Sequence, residues 1–310
     1  MDLSIVIVNW NASGLLRECL TSLAAASGPL AYEIIVADNN SSDDSVAMVE
    51  SEFPCVRLLR LQSNVGFAAA NNEAFRQARG RFVVLLNPDT VCPPGSLLRL
   101  MGFCAMRSDV GAVGPRLVSA NGSPTITWGR FPKPRYHWHE ALDPLRILPW
   151  MRARLVHVPT RQEPSRTVDY VAGACFLMPR QALDTVGPLD EDFFLYFEET
   201  DWCWRARQKG LAVWYCAETE VVHLEGQSAE LVSTFSRMQL QQSYRQFISK
   251  HYGPGRVWQY RLAQFCEYSI KGLRRYFAPG DRERNRKLAA VNWERAKLQL
   301  RNSLKPTPPA

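Results

Sequence analysis

The chain has 310 residues, 46% of them hydrophobic, the composition of an ordinary globular protein with one large or two modest cores. No apolar run reaches the ~18 residues needed to cross a bilayer, and the eight cysteines are scattered without Cys-x-x-Cys pairs, as in a reducing compartment. The formal charge of +7 is segregated: residues 244–305 are dense in Arg and Lys, whereas 38–52 and 184–201 are rich in Asp and Glu, so the positive charge belongs to the tail rather than to the chemistry. The start Met-Asp-Leu-Ser lacks the basic region of a secretory signal, and a cytoplasmic location is expected.

"LSIVIVNWN" opens the chain as a continuous apolar, β-branched run, which suits a strand buried on both faces of a parallel sheet. Ser13 is placed to cap a helix whose Leu15, Leu16, Cys19, Leu20 and Leu23 recur on one face. "YEIIVADNNSSDDSVAMVE" repeats the pattern: a strand to Ala37, a polar turn, and a helix started by Ser42 or Asp43 with Val46 and Val49 facing in. "CVRLLRL" predicts a third strand, Phe67 to Arg79 a helix and "RFVVLLN" a fourth strand, after which "GSLLRLMGFCAM" reads as a helix behind Pro93-Pro94. This alternation within ~110 residues argues for a doubly wound, mostly parallel sheet flanked by helices. "VGAVGPRLV" is a further strand, and residues 120–166, rich in Pro, Arg and Trp without a steady period, read as a long excursion with the character of a lid. "TVDYVAGACFLMPR" predicts one strand, "QALDTVGPLD" a short helix stopped at Gly187-Pro188, "EETDWCWRARQKG" a helix with an acidic start and a basic end, and "LAVWYCAETEVVH" a last strand or hairpin ending at His223. Beyond residue 230 the pattern is helical, amphipathic and basic.

In an open α/β sheet, ligands lie at the carboxyl ends of the strands. The polar punctuation falls there: Asn9 and Asn11 after the first strand, Asp38, Asn39 and Asn40 after the second, Asn64 and Gly66 after the third, Asn87 and Asp89 after the fourth. Each alone is equally an ordinary turn residue; strand ends that all present acceptors toward one crevice make a stronger signal. No G-x-G-x-x-G follows the first strand and no G-x-x-x-x-G-K-[ST] occurs, so neither a dinucleotide fold nor a P-loop is signalled. Carboxylates facing a phosphate repel it unless a cation lies between them. Asp89 is therefore a candidate ligand for Mg²⁺ or Mn²⁺ shared with phosphate oxygens, the alternative being a helix cap or turn residue after Pro88.

The segments "SIVIVNWN", "IIVADNNSSDDS", "NVGFAAANNEAFRQARGRFVVLLNPDT", "VAGACFLMPRQALDTVGPLDEDFFLYFEETDWCWRARQKG" and "VVHLEGQS" together resemble the family 2 glycosyltransferases, in particular the rhamnosyltransferase-like branch, over residues 3–230. The resemblance implies a GT-A fold over residues 1–230, with a nucleotide-sugar-binding half (1–118) and an acceptor and catalytic half (119–230), followed by a helical extension over 231–310. It implies a nucleotide-diphosphate sugar donor (dTDP-rhamnose favoured, a UDP-sugar the other choice), a divalent metal, inversion at the anomeric carbon, and a glycan or lipid-linked glycan acceptor in cell-surface polysaccharide synthesis. Residue by residue, Asn9 and Trp10 match the segment lining the base, and Asp38, with Asn40 beside it, matches the carboxylate that reads base or ribose. Asn64, Gly66 and Asn71 match the loop and helix start beside the nucleotide and sugar. Asp89 matches the last position of the family's Asp-x-Asp metal motif, whose first position is here the neutral Asn87, so metal affinity rests more heavily on Asp89 and on other ligands. His223 matches a histidine that completes the metal site in some relatives; its alternative is an ordinary half-buried histidine.

The acids of "FEETDW" have their own logic. Glu198 and Asp201 share a helical face by i, i+3 spacing, while Glu199 is turned by about 100° from Glu198. Carboxylates crowded into one turn repel one another and raise a pKa, and the helix N-terminus works in the opposite sense. A sugar hydroxyl loses its proton as it attacks, and a positioned carboxylate can take it. By resemblance Glu199 is the general base and Asp201 binds acceptor hydroxyls, with Glu198 the third member of the catalytic cluster.

Residues 256–276 place Trp258, Leu262, Phe265, Ile270 and Leu273 along a helical stripe beside Arg and Lys. Such a pattern suits peripheral contact with an anionic membrane, here the inner face of the cytoplasmic membrane, or packing on the catalytic domain. A nucleic-acid partner is not expected: no recognition module is present and the clustered acids would repel a polyanion. A nucleotidyltransferase would carry a basic, glycine-rich phosphate loop near the N-terminus, which is absent; a noncatalytic nucleotide-sugar binder stays open because of Asn87.

Overall fold

A computed structural model describes residues 1–133, 138, 156–224 and 233–300. The chain divides into two units, Met1–Phe131 with Val156–Ser233, and Pro132–Leu155 with Thr234–Ala310. The domain boundary expected at residue 230 and the middle of the 120–166 excursion lie outside the described residues.

The first unit begins β1 (Leu3–Asn9), α1 (Ser13–Ser27), β2 (Tyr32–Asp38), α2 (Ser45–Glu52), β3 (Arg57–Arg60), α3 (Phe67–Gln77) and β4 (Phe82–Leu86). It continues β5 (Thr90–Val91), α4 (Ser96–Ala105), β6 (Val110–Val118), β7 (Trp128–Gly129), β8 (Val156–His157), β9 (Arg166–Val168), β10 (Tyr170–Val171) and β11 (Cys175–Pro179). It closes with α5 (Arg180–Val186), α6 (Glu198–Gln208) and β12 (Ala212–His223). The main sheet runs β3-β2-β1-β4-β11-β6-β12-β5, with β9 also on β12, and β10-β7-β8 form a small separate sheet.

β1 is buried along its whole length because it lies between β2 and β4, parallel to both. That arrangement explains its unbroken apolar sequence. Leu16, Cys19, Leu20 and Leu23 of α1 pack on the sheet, as do Met48 and Val49 of α2 and Leu97, Leu100 and Phe103 of α4; full burial of each large aliphatic side chain contributes roughly 1.5–3 kcal/mol. In the second half β11 runs antiparallel to both β4 and β6, β12 runs parallel to β6, and β5 runs antiparallel to the end of β12. The sheet is therefore mixed.

Three local expectations are corrected. Ser13 caps nothing: it is the first helical residue of α1, and its N–H donates to Oδ2 of Asp43, so a tertiary contact supplies the cap. Asp43 likewise accepts from the N–H and Oγ of Ser45, so α2 starts three residues after Ser42 rather than at Ser42 or Asp43, with Val46 only half-buried. The single strand expected over "TVDYVAGACFLMPR" is three, because the chain changes sheets at Asp169: Arg166–Val168 pair with β12 and Tyr170–Val171 with β7. Asp169 fixes that crossing by accepting the Phe131 N–H and pairing with Arg207.

The second unit contains α7 (Ser233–Tyr252), α8 (Gly255–Tyr276) and α9 (Arg282–Leu300). Tyr244 of α7 stacks on Tyr260 of α8 with ring centroids 4.5 Å apart. α8 and α9 meet where Gly272 lies against the indole of Trp293, with no room for a Cβ.

Candidate active site

The register of the parallel strands brings their polar ends level. Asn9 stands opposite Asp38, and Nδ2 of Asn9 donates to Oδ1 of Asp38 (3.1 Å) and to Oγ of Ser41 (3.1 Å). The Ser41 N–H donates to Oδ2 of Asp38 at 2.9 Å, so both carboxylate oxygens are engaged while each keeps a lone pair. Oδ1 of Asn9 is buried with no donor, an acceptor suited to a base N–H. Trp10 follows, half-buried, and Asn40 is exposed at a left-handed φ of 64°.

Asn39 ties this strand end to the next loop. Its Nδ2 donates to Oδ1 of Asn64 (2.8 Å), its Oδ1 accepts the Val65 N–H (2.9 Å), and Oδ1 of Asn64 also accepts the Gly66 N–H (3.1 Å). Gly66 has φ +89°, and a Cβ there would stand 2.7 Å from both the ring and the carbonyl oxygen of Phe194. The Phe67 N–H donates to that carbonyl at 2.7 Å. Of the two asparagines in α3, Asn71 donates back to the Phe67 carbonyl of its own helix, whereas Asn72 exchanges hydrogen bonds with the backbone of Leu189 and donates to Glu191. Asn39 is one of the polar residues that the sequence sets at the strand ends, whereas the sequence signal for Asn72 is only a second, poorly helix-forming Asn inside a helix.

After β4 the chain turns through Asn87, Pro88 and Asp89 into β5. The Asn87 N–H donates to the Ala174 carbonyl (3.0 Å), and the Thr90 hydroxyl donates to the Asn87 carbonyl (2.7 Å). β12 returns beside β5 with His223 opposite Thr90, and the Leu224 N–H donates to the Asp89 carbonyl (2.9 Å). Nε2 of His223 consequently stands 3.3 Å from Oδ1 of Asp89, with 12% and 22% of the two side chains exposed. That oxygen is buried and accepts no hydrogen bond. An unsatisfied carboxylate oxygen next to an imidazole nitrogen is a donor set that fits Mg²⁺ or Mn²⁺. Among the described residues no cluster of three or more Asp, Glu, His or Cys forms a complete metal site; phosphate oxygens or water would complete the shell.

α6 starts from an unusual turn. Tyr196 and Phe197 have φ of 66° and 72° although neither is glycine. Glu198 is buried at 4% exposure, its Oε2 has no partner, and burial followed by the charge of Glu199 pushes its pKa well above the ordinary range. Burial raises Glu199 as well, while its own N–H, that of Thr200 and the Thr200 hydroxyl, at 3.4 Å, oppose the shift. Burial raises both acids, and the neighbouring charge of Glu199 raises the enclosed Glu198 the more strongly of the two, while Glu199 is half-buried and hydrogen-bonded. Gly173 lies beside it, since a Cβ added there would be 3.7 Å from Cγ of Glu199. Residues 173 and 174 thus connect the Asp89 turn with Glu199.

Asp201 is corrected. It has no exposed surface and accepts from Nε of Arg205 at 2.8 Å, and Arg205 also donates to the carbonyls of Val186 and Pro188. A wholly buried carboxylate cannot meet an acceptor hydroxyl; this one anchors the chain entering α6. A cleft of about 580 Å³ lined by Arg79, Arg81, Arg180 and Asp184 lies at the other end of β4, away from these residues.

A sequence profile of glycosyl transferase family 2 matches residues 4–187. The N-acetylglucosaminyl-diphospho-decaprenol L-rhamnosyltransferase of Mycobacterium tuberculosis is 30% identical over 240 residues, covering 73% of this chain and 77% of that enzyme. Among solved structures, GalNAc-T7 with UDP, GalNAc and Mn²⁺ aligns with a TM-score of 0.61 at 14% identity over 96% of this chain, which spans little more than half (56%) of that longer protein. A mannosyltransferase from Pyrobaculum calidifontis in complex with GDP-Man and Mn²⁺ aligns with a TM-score of 0.57 at 15% identity, over 97% of this chain and 81% of the other.

Proposed function

The chain belongs to glycosyl transferase family 2 and has the GT-A fold, and on that premise we propose that it transfers L-rhamnose, with inversion, from a nucleotide diphosphate to a hydroxyl of a lipid-linked N-acetylglucosamine. The choice of sugar and acceptor follows the similarity to the mycobacterial rhamnosyltransferase, with dTDP-rhamnose preferred to a UDP-sugar as donor. The product belongs to cell-surface polysaccharide synthesis. The observation that supports the reading is the link through Ala174 and Gly173 between the Asp89–His223 pair and Glu199.

In this reading Asn9, Trp10 and Asp38, with Asn39, Asn40 and Asn64 around them, hold the nucleoside, and Gly66, Asn71 and Asn87 border the donor. Asp89 and His223 hold Mg²⁺ or Mn²⁺; when bound, the cation stabilises negative charge on the departing diphosphate. Glu199 takes the proton of the acceptor hydroxyl. The hydroxyl oxygen forms its bond to the anomeric carbon on the face opposite the breaking bond to the diphosphate oxygen, which inverts that carbon. Glu198, neutral, adds no competing charge beside the base.

The test is a panel of nucleotide sugars with Mg²⁺ or Mn²⁺ and a polyprenyl-diphospho-N-acetylglucosamine acceptor. Release of nucleoside diphosphate coupled to glycosylated product, greatest with dTDP-rhamnose, is expected. Nucleotide-sugar binding without turnover would make the protein a noncatalytic binder, and synthesis of a nucleotide sugar from a triphosphate and a sugar phosphate would make it a nucleotidyltransferase.

A further inference from the structure

The cleft at the far end of β4 is built around arginines. Its volume is about 580 Å³, and Arg79, Arg81 and Arg180 line it with Asp184 as the single carboxylate. The loop that carries the first two is pinned by the strands beneath it. The Arg79 N–H donates to Oε1 of Glu33 (2.7 Å) and to Oγ of Ser4 (3.1 Å), and the Gly80 N–H donates to the same Oγ (2.8 Å). Only glycine fits there, since a Cβ at residue 80 would stand 2.4 Å from the Ser4 nitrogen. The third arginine is tied to this loop. The Arg180 N–H donates to the Arg81 carbonyl (2.8 Å), and its guanidinium donates to the carbonyls of Ala78 (2.8 Å) and Gly80 (3.4 Å).

These bonds gather like charges that would otherwise spread apart, and they leave donors over. Among the described residues, Arg79 ends in a guanidinium with no hydrogen bond or ion pair, and Asp184 pairs with none of the three arginines. Arg180 uses Nε and Nη2 on carbonyls and keeps Nη1. Arg81 uses Nη2 on Asp2 at 2.7 Å, in a pair open to solvent. Fixed guanidinium groups with unused N–H donors are a preorganised anion site. A carboxylate has two oxygens and one charge, enough for one guanidinium fork; a phosphate offers up to two charges and three free oxygens, which several forks can share. From Arg81 to Asn87 the strand advances about 3.3 Å per residue, roughly 20 Å in all. A phosphate here is therefore not the diphosphate of a donor held at Asp89.

We propose that this cleft binds a phosphate group at a site separate from the donor site. The proposal stands on the arginine geometry and does not require the transferase reading. The full chain is titrated with inorganic pyrophosphate by calorimetry in the presence of EDTA, and is sedimented with phosphatidylcholine vesicles with and without phosphatidic acid. The first arm reports a free phosphate compound as the source, and the second reports a lipid head group. Binding in at least one arm, weakened by salt, is expected. Arg79→Gln/Arg81→Gln alters only exposed side chains and should weaken it about tenfold. Asp184→Asn removes the opposing carboxylate and should tighten it about threefold, a gain that a damaged fold would not produce. Asp89→Asn should leave it unchanged. Absence of binding in both arms, equal binding by the Arg79 and Arg81 variant, weaker binding by Asp184→Asn, or loss of binding in Asp89→Asn overturns the proposal.

Discussion

Glu199→Gln and Glu198→Gln should have opposite consequences although the residues are neighbours. Glu199 is the reachable acid with a hydrogen bond that favours its charged form, whereas Glu198 is enclosed and its Oε2 makes no hydrogen bond. Removing a general base costs about 10²–10⁴-fold in turnover, or roughly 3–5 kcal/mol of barrier, so Glu199→Gln should lose that much kcat and still bind nucleotide. Glu198→Gln mimics the neutral acid and gives up no hydrogen bond at Oε2; turnover should stay within about threefold of wild type. The pH dependence has a definite sign. A base works ionised, so kcat/KM should rise with pH through the pKa of Glu199, which burial holds above its ordinary value of 4.5. Tyr170 and Cys203 beside it are pushed upward by burial and stay neutral in that range. For stability, the raised pKa of Glu198 means that its contribution is full below the unfolded-state pKa and is lost as pH rises through the folded one. Glu198→Gln should therefore gain thermal stability over wild type as pH rises above about 4.5 and level off beyond the folded pKa. Steady-state nucleoside diphosphate release and thermal melts across pH measure the two effects. Near-normal turnover by Glu199→Gln, or a dead Glu198→Gln that melts no higher at any pH, refutes the assignment.

Three further outcomes are expected. Asp89→Asn should weaken Mn²⁺ binding in the presence of nucleotide by at least about 10–100-fold, read from the electron paramagnetic resonance of the ion; unchanged affinity would remove Asp89 from the metal site. Arg205→Met strands the buried Asp201 and should cost about 3–5 kcal/mol in a guanidinium titration, with part of the loss recovered by adding Asp201→Asn; a cost below about 1 kcal/mol would mean that the pair contributes little. Gly66→Ala places a Cβ against Phe194 at a left-handed φ and should cost about 1–3 kcal/mol while weakening nucleotide binding in calorimetry; wild-type behaviour would show that the loop yields freely.

How much was legible in the sequence depended on how local each feature is. The apolar runs of β1, β2 and β4 can only be buried strands, and the polar residues that end them could be assigned to a ligand crevice from the direction of a parallel sheet. The Asp89–His223 contact could be guessed only by resemblance, because it depends on β5, two residues long, pairing with the end of β12. A two-residue strand has no periodicity to detect. The crossing at Asp169 was invisible for a related reason: Thr167 and Tyr170 belong to one β-rich run, and only tertiary pairing separates them. Ser13 and Asp201 were misassigned because their chemistry suited a local role that a distant or neighbouring partner, Asp43 or Arg205, had already displaced. The stripe on α8 was readable from spacing, but its outward direction, with Trp258 and Leu273 exposed, was not; a wheel shows which residues share a face and not which way the face looks.

The strained turn before α6 explains why so many contacts converge on residues 186–202. Left-handed backbone at Tyr196 and Phe197 costs roughly 1–2 kcal/mol per residue. The opposing terms are visible: Phe193 is fully buried, Phe194 closes on Gly66, Asn72 holds Leu189 and Glu191, the Trp202 indole donates to the Gly187 carbonyl, and Arg205 spans the carbonyls of Val186 and Pro188. Burial of Phe193 alone contributes roughly 1.5–3 kcal/mol, enough to hold one such residue, and the hydrogen bonds hold the other. A relaxed turn would need fewer anchors, but it would let the first residues of α6 swing. In the proposed reaction, where proton transfer depends on fixed geometry, the strain would have a use: the same contacts that sustain it fix Glu199 beside Gly173, on the chain that leads through Ala174 to the Asp89 turn.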